Sequence, residues 1–410
     1  MMKLDNDPTE GLMLRISFLF VGGFALAEGL QNWIRGKIEA HSEVVLILLT
    51  TYLVAFAIMA IGTSSSQTLK RLRHLPFATL IALVLTSAYI ISQVEFNGAY
   101  QSDSLAFTHY AAILFTRGVN PYAQDLQGAL RVFSVDPQFI TLMPSGALMT
   151  TLNYPAMSFL VFVPAVLAGT ADMRVVIFIF EIATLVSIYC WAPAKIRPIV
   201  LLPIFAGSDL AINFSSGSIA DFLWVLPLIY MIFFLKKPWL AGACYGLACA
   251  TKQTPWLLVP FLLIWVFHDH PESSRGERIR RTVIFATAAA GFFLIPNLWF
   301  IYQDYSLWWK GVIAPSFGNL VILSQGFSMI SETGFIPLPP SFYSVTFVTV
   351  FAALLFNYAV YFGKLKHVIW VVPILTMWFS YRGLQNYFIF WIPMLVVSAI
   401  YLYKERTGLL

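Results

Sequence analysis

The sequence predicts an all-α, polytopic helical membrane protein with about 12 to 13 transmembrane helices, each needing about 20 mostly apolar residues. Three observations predict it: the composition, a succession of apolar stretches, and the gathering of basic residues in particular loops. Of the 410 residues, 59% are hydrophobic and 11% charged, less than half the roughly 25% of an ordinary soluble domain. Mean hydropathy is +0.76. These values exclude a soluble globular protein, a disordered chain and a coiled coil.

Apolar stretches lie near 13–33, 44–62, 76–94, 154–170, 174–192, 197–213, 218–235, 238–251, 254–267, 282–302, 341–362, 366–379 and 387–403. Two of them, 238–251 and 366–379, are short for a full crossing. The start, Met1 to Arg15, mixes Asp5, Asp7 and Glu10 with few basic residues. No small-residue cleavage site follows, so no cleavable signal peptide is expected. No internal repeat or low-complexity tract is evident. The whole chain, 1–410, reads as one integral membrane domain, with 13–62 as two additional N-terminal spans.

The positive-inside rule orients the spans. Lys70, Arg71 and Arg73 place 63–75 in the cytoplasm, and Arg275, Arg278, Arg280 and Arg281 place 268–281 there. Lys364 and Lys366 do the same for 363–367, as do Lys404 and Arg406 for the C-terminus. Loop 95–153 is richer in acids, with Glu95, Asp103, Asp125 and Asp136 against Arg117 and Arg131. Loop 303–340 has Asp304 and Glu332 against Lys310. Both are therefore expected outside. Counting crossings from the two ends disagrees by one between 154 and 267. That stretch should hold a re-entrant or broken helix, which is tolerated where backbone lines a cavity.

The three cysteines, Cys190, Cys244 and Cys249, lie in apolar stretches without a CxxC pair, so no disulfide framework or thiolate metal site is indicated. The six histidines are His41, His74, His109, His268, His270 and His367, and they are scattered. No dense acidic or histidine cluster suits a metal, so no metal and no cofactor is expected. The net charge of +5 is small, and no nucleic-acid partner is expected.

The stretch from Glu95 to Pro155 carries the most information. Residues 104–117 read as a short helix along the outer interface. Ser102, Asp103 or Ser104 can cap its start, Gly118 sits where a C-cap glycine belongs, and Pro121 follows. Asp103 is then either a capping carboxylate or a catalytic base at the outer end of a span. The two roles are compatible, because a helix N-terminus favours the ionised carboxylate.

The order of Asp103, His109-Tyr110-Ala111-Ala112, Gly118-Val119-Asn120-Pro121-Tyr122 and Asn153-Tyr154-Pro155 resembles the C-type membrane glycosyltransferase superfamily. The nearest branch is glycosyltransferase family 87, the polyprenyl-phosphate-mannose-dependent mannosyltransferases. Taken singly the motifs are ordinary: Asn-Pro-Tyr is turn chemistry and Tyr-Pro a helix start. The resemblance spans about 76–403 and leaves 13–62 unaccounted for. It implies an inverting transfer of a hexose, mannose being the expectation, from a polyprenyl-phosphate carrier to an extracytoplasmic hydroxyl. It also implies an inner-membrane enzyme whose acceptor is a glycolipid, a polysaccharide or a protein. Asp103 would be the general base. His109, Asn120, Tyr122, Asn153 and Tyr154 would line the sugar or acceptor site.

Later elements extend the resemblance. Lys252 and Gln253 lie between two short apolar segments, and an ionisable residue at membrane depth is a functional candidate. Lys252 is either a snorkelling lysine or a ligand of the donor phosphate, with Gln253 adding an amide. Asn213 to Asp221 reads NFSSGSIAD. Asp221 is either a sugar ligand or an acid complementing a helix dipole. In YRGLQNYFIFWIP, Arg382 suits a phosphate oxygen pair or serves as an interfacial anchor, and the resemblance implies that Asn386 meets the sugar or acceptor. In the second outer loop, Trp308 and Trp309 read as interfacial, and Gln325 and Ser328 as lining an acceptor path. Glu28 and Glu181 are intramembrane acids without a motif. The alternative class is a membrane transporter or lipid flippase. It needs charge spread along the spans, whereas here polar motifs gather in the outer loops.

Overall fold

The computed structural model describes residues 8–35, 42–207, 209–314 and 320–410. Met1 to Asp7, on which part of the signal-peptide expectation rests, lie outside the described residues, as do His41 and residues 315–319 of loop 303–340. The chain is 73% helical. Among the described residues, the named strands are one two-residue parallel pair, Leu323–Ser324 against Arg382–Gly383. The all-α membrane class expected from composition is what the structure has.

Among the described residues, seven helices are long and apolar enough to cross a membrane: Thr9–Arg35, Ser42–Gly62, Leu75–Glu95, Arg174–Trp191, Arg275–Gln303, Pro340–Val360 and Asn386–Thr407. The other apolar stretches are short or broken, and proline is the recurring cause. It removes a backbone donor and clashes with the preceding turn. Stretch 154–170 splits into Met157–Leu160 and Val163–Leu167, the latter with Pro164 in its first turn. Phe222–Phe233 holds Pro227 and has 12 residues. Stretches 254–267 and 366–379 each begin as 3-10 helix and turn α-helical beside Pro260 and Pro373. The pair Arg197–Phe205 and Asp209–Ser216 is bent by 80°. All of these broken elements except 366–379 lie in the region where crossing counts disagreed, so hydropathy alone overcounts full spans there.

Residues 1–101 with 178–219 form one compact unit, and 102–177 with 220–410 form another. In the first, Pro8–Arg35 and Ser42–Gly62 cross closely. A Cβ at Gly29 would lie 2.9 Å from the Tyr52 ring, and one at Gly22 would lie 3.0 Å from the Ala55 carbonyl oxygen. Small residues at such contacts let helix backbones approach in lipid. Glu28 and Glu181 both belong to this unit and are buried.

The second unit contains every candidate site residue. Its tightest packing sets Pro238–Thr251 against Arg275–Gln303. A Cβ at Gly242 would collide with the Phe285 carbonyl oxygen, and one at Gly246 with that of Ala289. Gly242 and Gly246 are a GxxxG pair on one helix face. This contact fixes the helix that ends at Lys252.

Loops expected on the same side meet one another in this unit. Lys366 Nζ lies 2.7 Å from Asp269 Oδ1 and 2.9 Å from Glu405 Oε1. That cluster joins the segments 268–281, 363–367 and the C-terminal helix. The two acid-rich loops also join, the Val321 amide donating to the Leu142 carbonyl at 3.2 Å. Gln325 N–H donates to Gly383 O at 2.7 Å, which brings the Arg382 segment to the same loops.

Candidate active site

The helix Asp103–Thr116 begins the site. Its cap is Ser102, whose side chain accepts the Ser104 amide at 3.1 Å. Asp103 is therefore the first helical residue rather than the cap. Its half-buried carboxylate turns to the next loop, where Oδ2 accepts the Thr141 amide at 2.7 Å. Arg382 Nη2 donates to Thr141 Oγ1 at 3.1 Å. Burial pushes the Asp103 carboxyl above the ordinary aspartate range, and the Thr141 hydrogen bonds and the Arg382 charge partly oppose that.

Gly-Val-Asn-Pro-Tyr acts as scaffold. Gly118 takes φ +75°, a conformation glycine adopts without strain. Asn120 accepts the Tyr122 amide at 3.0 Å, Pro121 opens a 3-10 turn, and the buried Tyr122 hydroxyl donates to Tyr154 O at 2.7 Å. Gln253 Nε2 donates to Asn153 O at 2.8 Å and Val312 O at 2.9 Å. The Asn153 amide lies 3.8 Å from Met149 Sδ. Asn120, Tyr122 and Gln253 thus hold the Asn-Tyr-Pro backbone, and these bonds occupy both Gln253 donors.

The Tyr154 hydroxyl lies within electrostatic reach of the Ser104 side chain, Asp103, Lys252 and Tyr387. It links the Asp103 group to a second one centred on Asp221. Asp221 Oδ1 accepts Trp224 Nε1 at 2.8 Å and pairs with Lys252 Nζ, while Oδ2 accepts Asn386 Nδ2 at 2.7 Å. Both Asp221 oxygens are engaged within the protein. Lys252 also sits over the Tyr387 ring, 5.1 Å from its centroid, a cation–π contact.

The fold thus gathers Asp103, Tyr154, Asp221, Lys252, Arg382 and Asn386, with Asn120, Tyr122, Asn153 and Gln253 supporting them. Gln325 is tied to Gly383 through its backbone, and its side chain is exposed. His109 is elsewhere: it is buried, it stacks on Phe133 at 4.4 Å, and burial lowers its pKa to about 4. Ser328 donates to the Ser380 carbonyl at 2.8 Å, a loop-to-loop tie. Trp308, expected at the interface, is buried and donates to Asn297 Oδ1 at 3.0 Å, whereas Trp309 is exposed.

Sequence reading missed Thr141 and Asn297. Asn297 Oδ1 also accepts the Ala156 amide at 3.0 Å, anchoring the Tyr-Pro segment. Its signal was present: a polar residue beside Pro296 within a long apolar helix. Thr141 has no such signal, since it lies in an irregular loop.

The family model of glycosyltransferase family 87 matches residues 152–381, more than half of the chain. It covers Asn153, Tyr154, Asp221, Lys252, Gln253 and Gln325. It stops one residue before Arg382 and begins after Asp103, His109, Asn120 and Tyr122. Comparison with curated proteins and with solved structures returns no match.

Proposed function

The chain belongs to glycosyltransferase family 87, and we propose that it moves a hexose, mannose by expectation, from a polyprenyl-phosphate donor to an extracytoplasmic acceptor hydroxyl. The observation that carries this reading is one carboxylate, Asp103, joined through Thr141 to Arg382 and through Tyr154 to Lys252. The acceptor oxygen attacks the anomeric carbon from the face opposite the phosphate, which gives inversion. Asp103 takes the hydroxyl proton as that bond forms. The bond between the anomeric carbon and the phosphate oxygen breaks, and the polyprenyl phosphate leaves with increased negative charge. Lys252 and Arg382 stabilise that charge where it develops, so the scheme assigns no step to a metal. Tyr154 and Asn386 are assigned to the sugar or acceptor. Asp221 is better read as the group that holds Lys252, because its oxygens are taken. The acceptor is a glycolipid, a polysaccharide or a protein, presented at the outer leaflet of the inner membrane.

The test is direct. Purified protein, in chelator-containing buffer, is given synthetic prenyl-phosphate mannose and a panel of hydroxyl acceptors. Transfer with inverted anomeric configuration is expected, and absence of any donor consumption would sink the reading. Lys252→Ala should raise donor KM about tenfold or more, as loss of a charge-assisted contact does, while acceptor KM changes little. Equal effects on both substrates would argue against a phosphate role.

Orientation has its own check. Ser145 is exposed at the tip of the loop that begins at Thr141. In a Cys190→Ser background, Ser145→Cys should react with a membrane-impermeant thiol reagent in right-side-out cells. Labelling only in inverted vesicles would reverse the assigned sidedness.

A further inference from the structure

We propose that Thr141 is a positioning residue that holds the Asp103 carboxylate and the Arg382 guanidinium in one fixed arrangement. The inference rests on reading Asp103 as the base and Arg382 as a phosphate ligand.

Two hydrogen bonds meet at Thr141. Its amide donates to Asp103 Oδ2 at 2.7 Å, and its Oγ1 accepts Arg382 Nη2 at 3.1 Å. The hydroxyl also lies near enough to the carboxylate to favour its ionised form. A threonine hydroxyl has one proton to donate and two acceptor lone pairs. It can therefore donate to the carboxylate and accept from the guanidinium at once. Arginine is not deprotonated in proteins, so this bridge orients groups and relays no proton.

The backbone around Thr141 is held as well. Met149 N–H donates to Thr141 O at 2.9 Å, and Met143 N–H donates to Ala147 O at 2.8 Å. Leu142 and Leu148 form an antiparallel bridge, and Gly146 makes the turn at φ +79°. On the outer side, Leu142 O accepts the Val321 amide at 3.2 Å. A small hairpin thus presents Thr141 to Asp103 in one geometry. The charged or titratable groups that face Asp103 are Arg382 and the Tyr154 phenol, with Lys252 beyond Tyr154. Thr141 stands between Asp103 and Arg382.

The experiment compares wild type, T141V, T141A and T141S as purified full-length protein with synthetic prenyl-phosphate mannose, reading kcat/KM against pH. T141V keeps the shape and the amide but lacks the hydroxyl. A hydrogen bond to a charged group is worth about tenfold or more, so kcat/KM should fall about tenfold in T141V and T141A. The acid limb should move up by about one pH unit, because an interaction that favours the ionised carboxylate is gone. T141S should restore both to within about twofold. An unmoved acid limb in T141V and T141A, or an equal loss in T141S, overturns the proposal. Asp103→Asn separates the two readings. If it is inactive while the threonine variants keep the wild-type profile, only the Thr141 inference falls. If it is active, the base assignment falls and takes the Thr141 inference with it.

Discussion

Asp103→Asn is expected to lower turnover by about 10²- to 10⁴-fold, the range that general acid–base groups contribute. The substitution keeps size and leaves an amide oxygen to accept the Thr141 amide now bonded to Oδ2. The helix start does not depend on it, because Ser102 provides the cap. Folding and donor affinity should therefore be near wild type, and the loss should fall on kcat. The pH profile supplies a second sign. The Asp103 carboxyl is raised by burial, and the base must be ionised. Activity is thus present above that raised pKa and lost as pH falls through it, so the acid limb sits higher than for a solvated aspartate. Turnover within a few fold of wild type in well-folded Asp103→Asn protein would falsify the base assignment.

Asp221→Ala should be the most destabilising of the site substitutions. Asp221 is 3% exposed and is the counter-charge for Lys252, whose side chain is 13% exposed. Removing one partner of a buried pair costs about 3–5 kcal/mol, because the other charge stays buried without compensation. Trp224 and Asn386 lose an acceptor in the same step. The expected result is a clear fall in the thermal unfolding midpoint in detergent, beyond that of Asp103→Asn. Asp221→Asn retains one acceptor oxygen and should fall between. An unchanged midpoint in Asp221→Ala would mean that the pair is dispensable for packing. Asp221 would then be open to a sugar contact after all.

Much of the fold was legible because its physics is local. Scarcity of charge signals a lipid environment anywhere in a chain, and an apolar run without internal proline gives a straight span, as in Ser42–Gly62. Where prolines recur, an apolar run stays apolar but no longer makes one helix, so 154–170 and 254–267 read as spans and fold as short pieces. The site shows the same division. Asp103 was visible as an acid at the head of a short helix. Its partners were not, because Thr141 lies 38 residues away and Arg382 a further 241 beyond Thr141. Asp221 was legible as an acid opening a helix. That it spends both oxygens on Lys252, Trp224 and Asn386 depends on contacts up to 165 residues apart, which no local pattern encodes. His109 shows the converse: its place in a motif suggested a site role, yet it faces Phe133.

The glycine contacts of Pro238–Thr251 have a consequence for how the protein meets membranes of different thickness. A helix longer or shorter than the hydrocarbon layer tilts to accommodate it. Where side chains separate two helices, such tilting can slide one past the other. Here Gly242 and Gly246 rest on the carbonyls of Phe285 and Ala289 and against the Cβ atoms of Ala288 and Phe292, so the two backbones touch with no glycine-side side chain to repack. The 14-residue helix is short, and its 29-residue neighbour is long enough to span with tilt. The short helix therefore follows the long one as a single body, and Lys252 keeps its depth relative to Arg275–Gln303 when the bilayer thins or thickens.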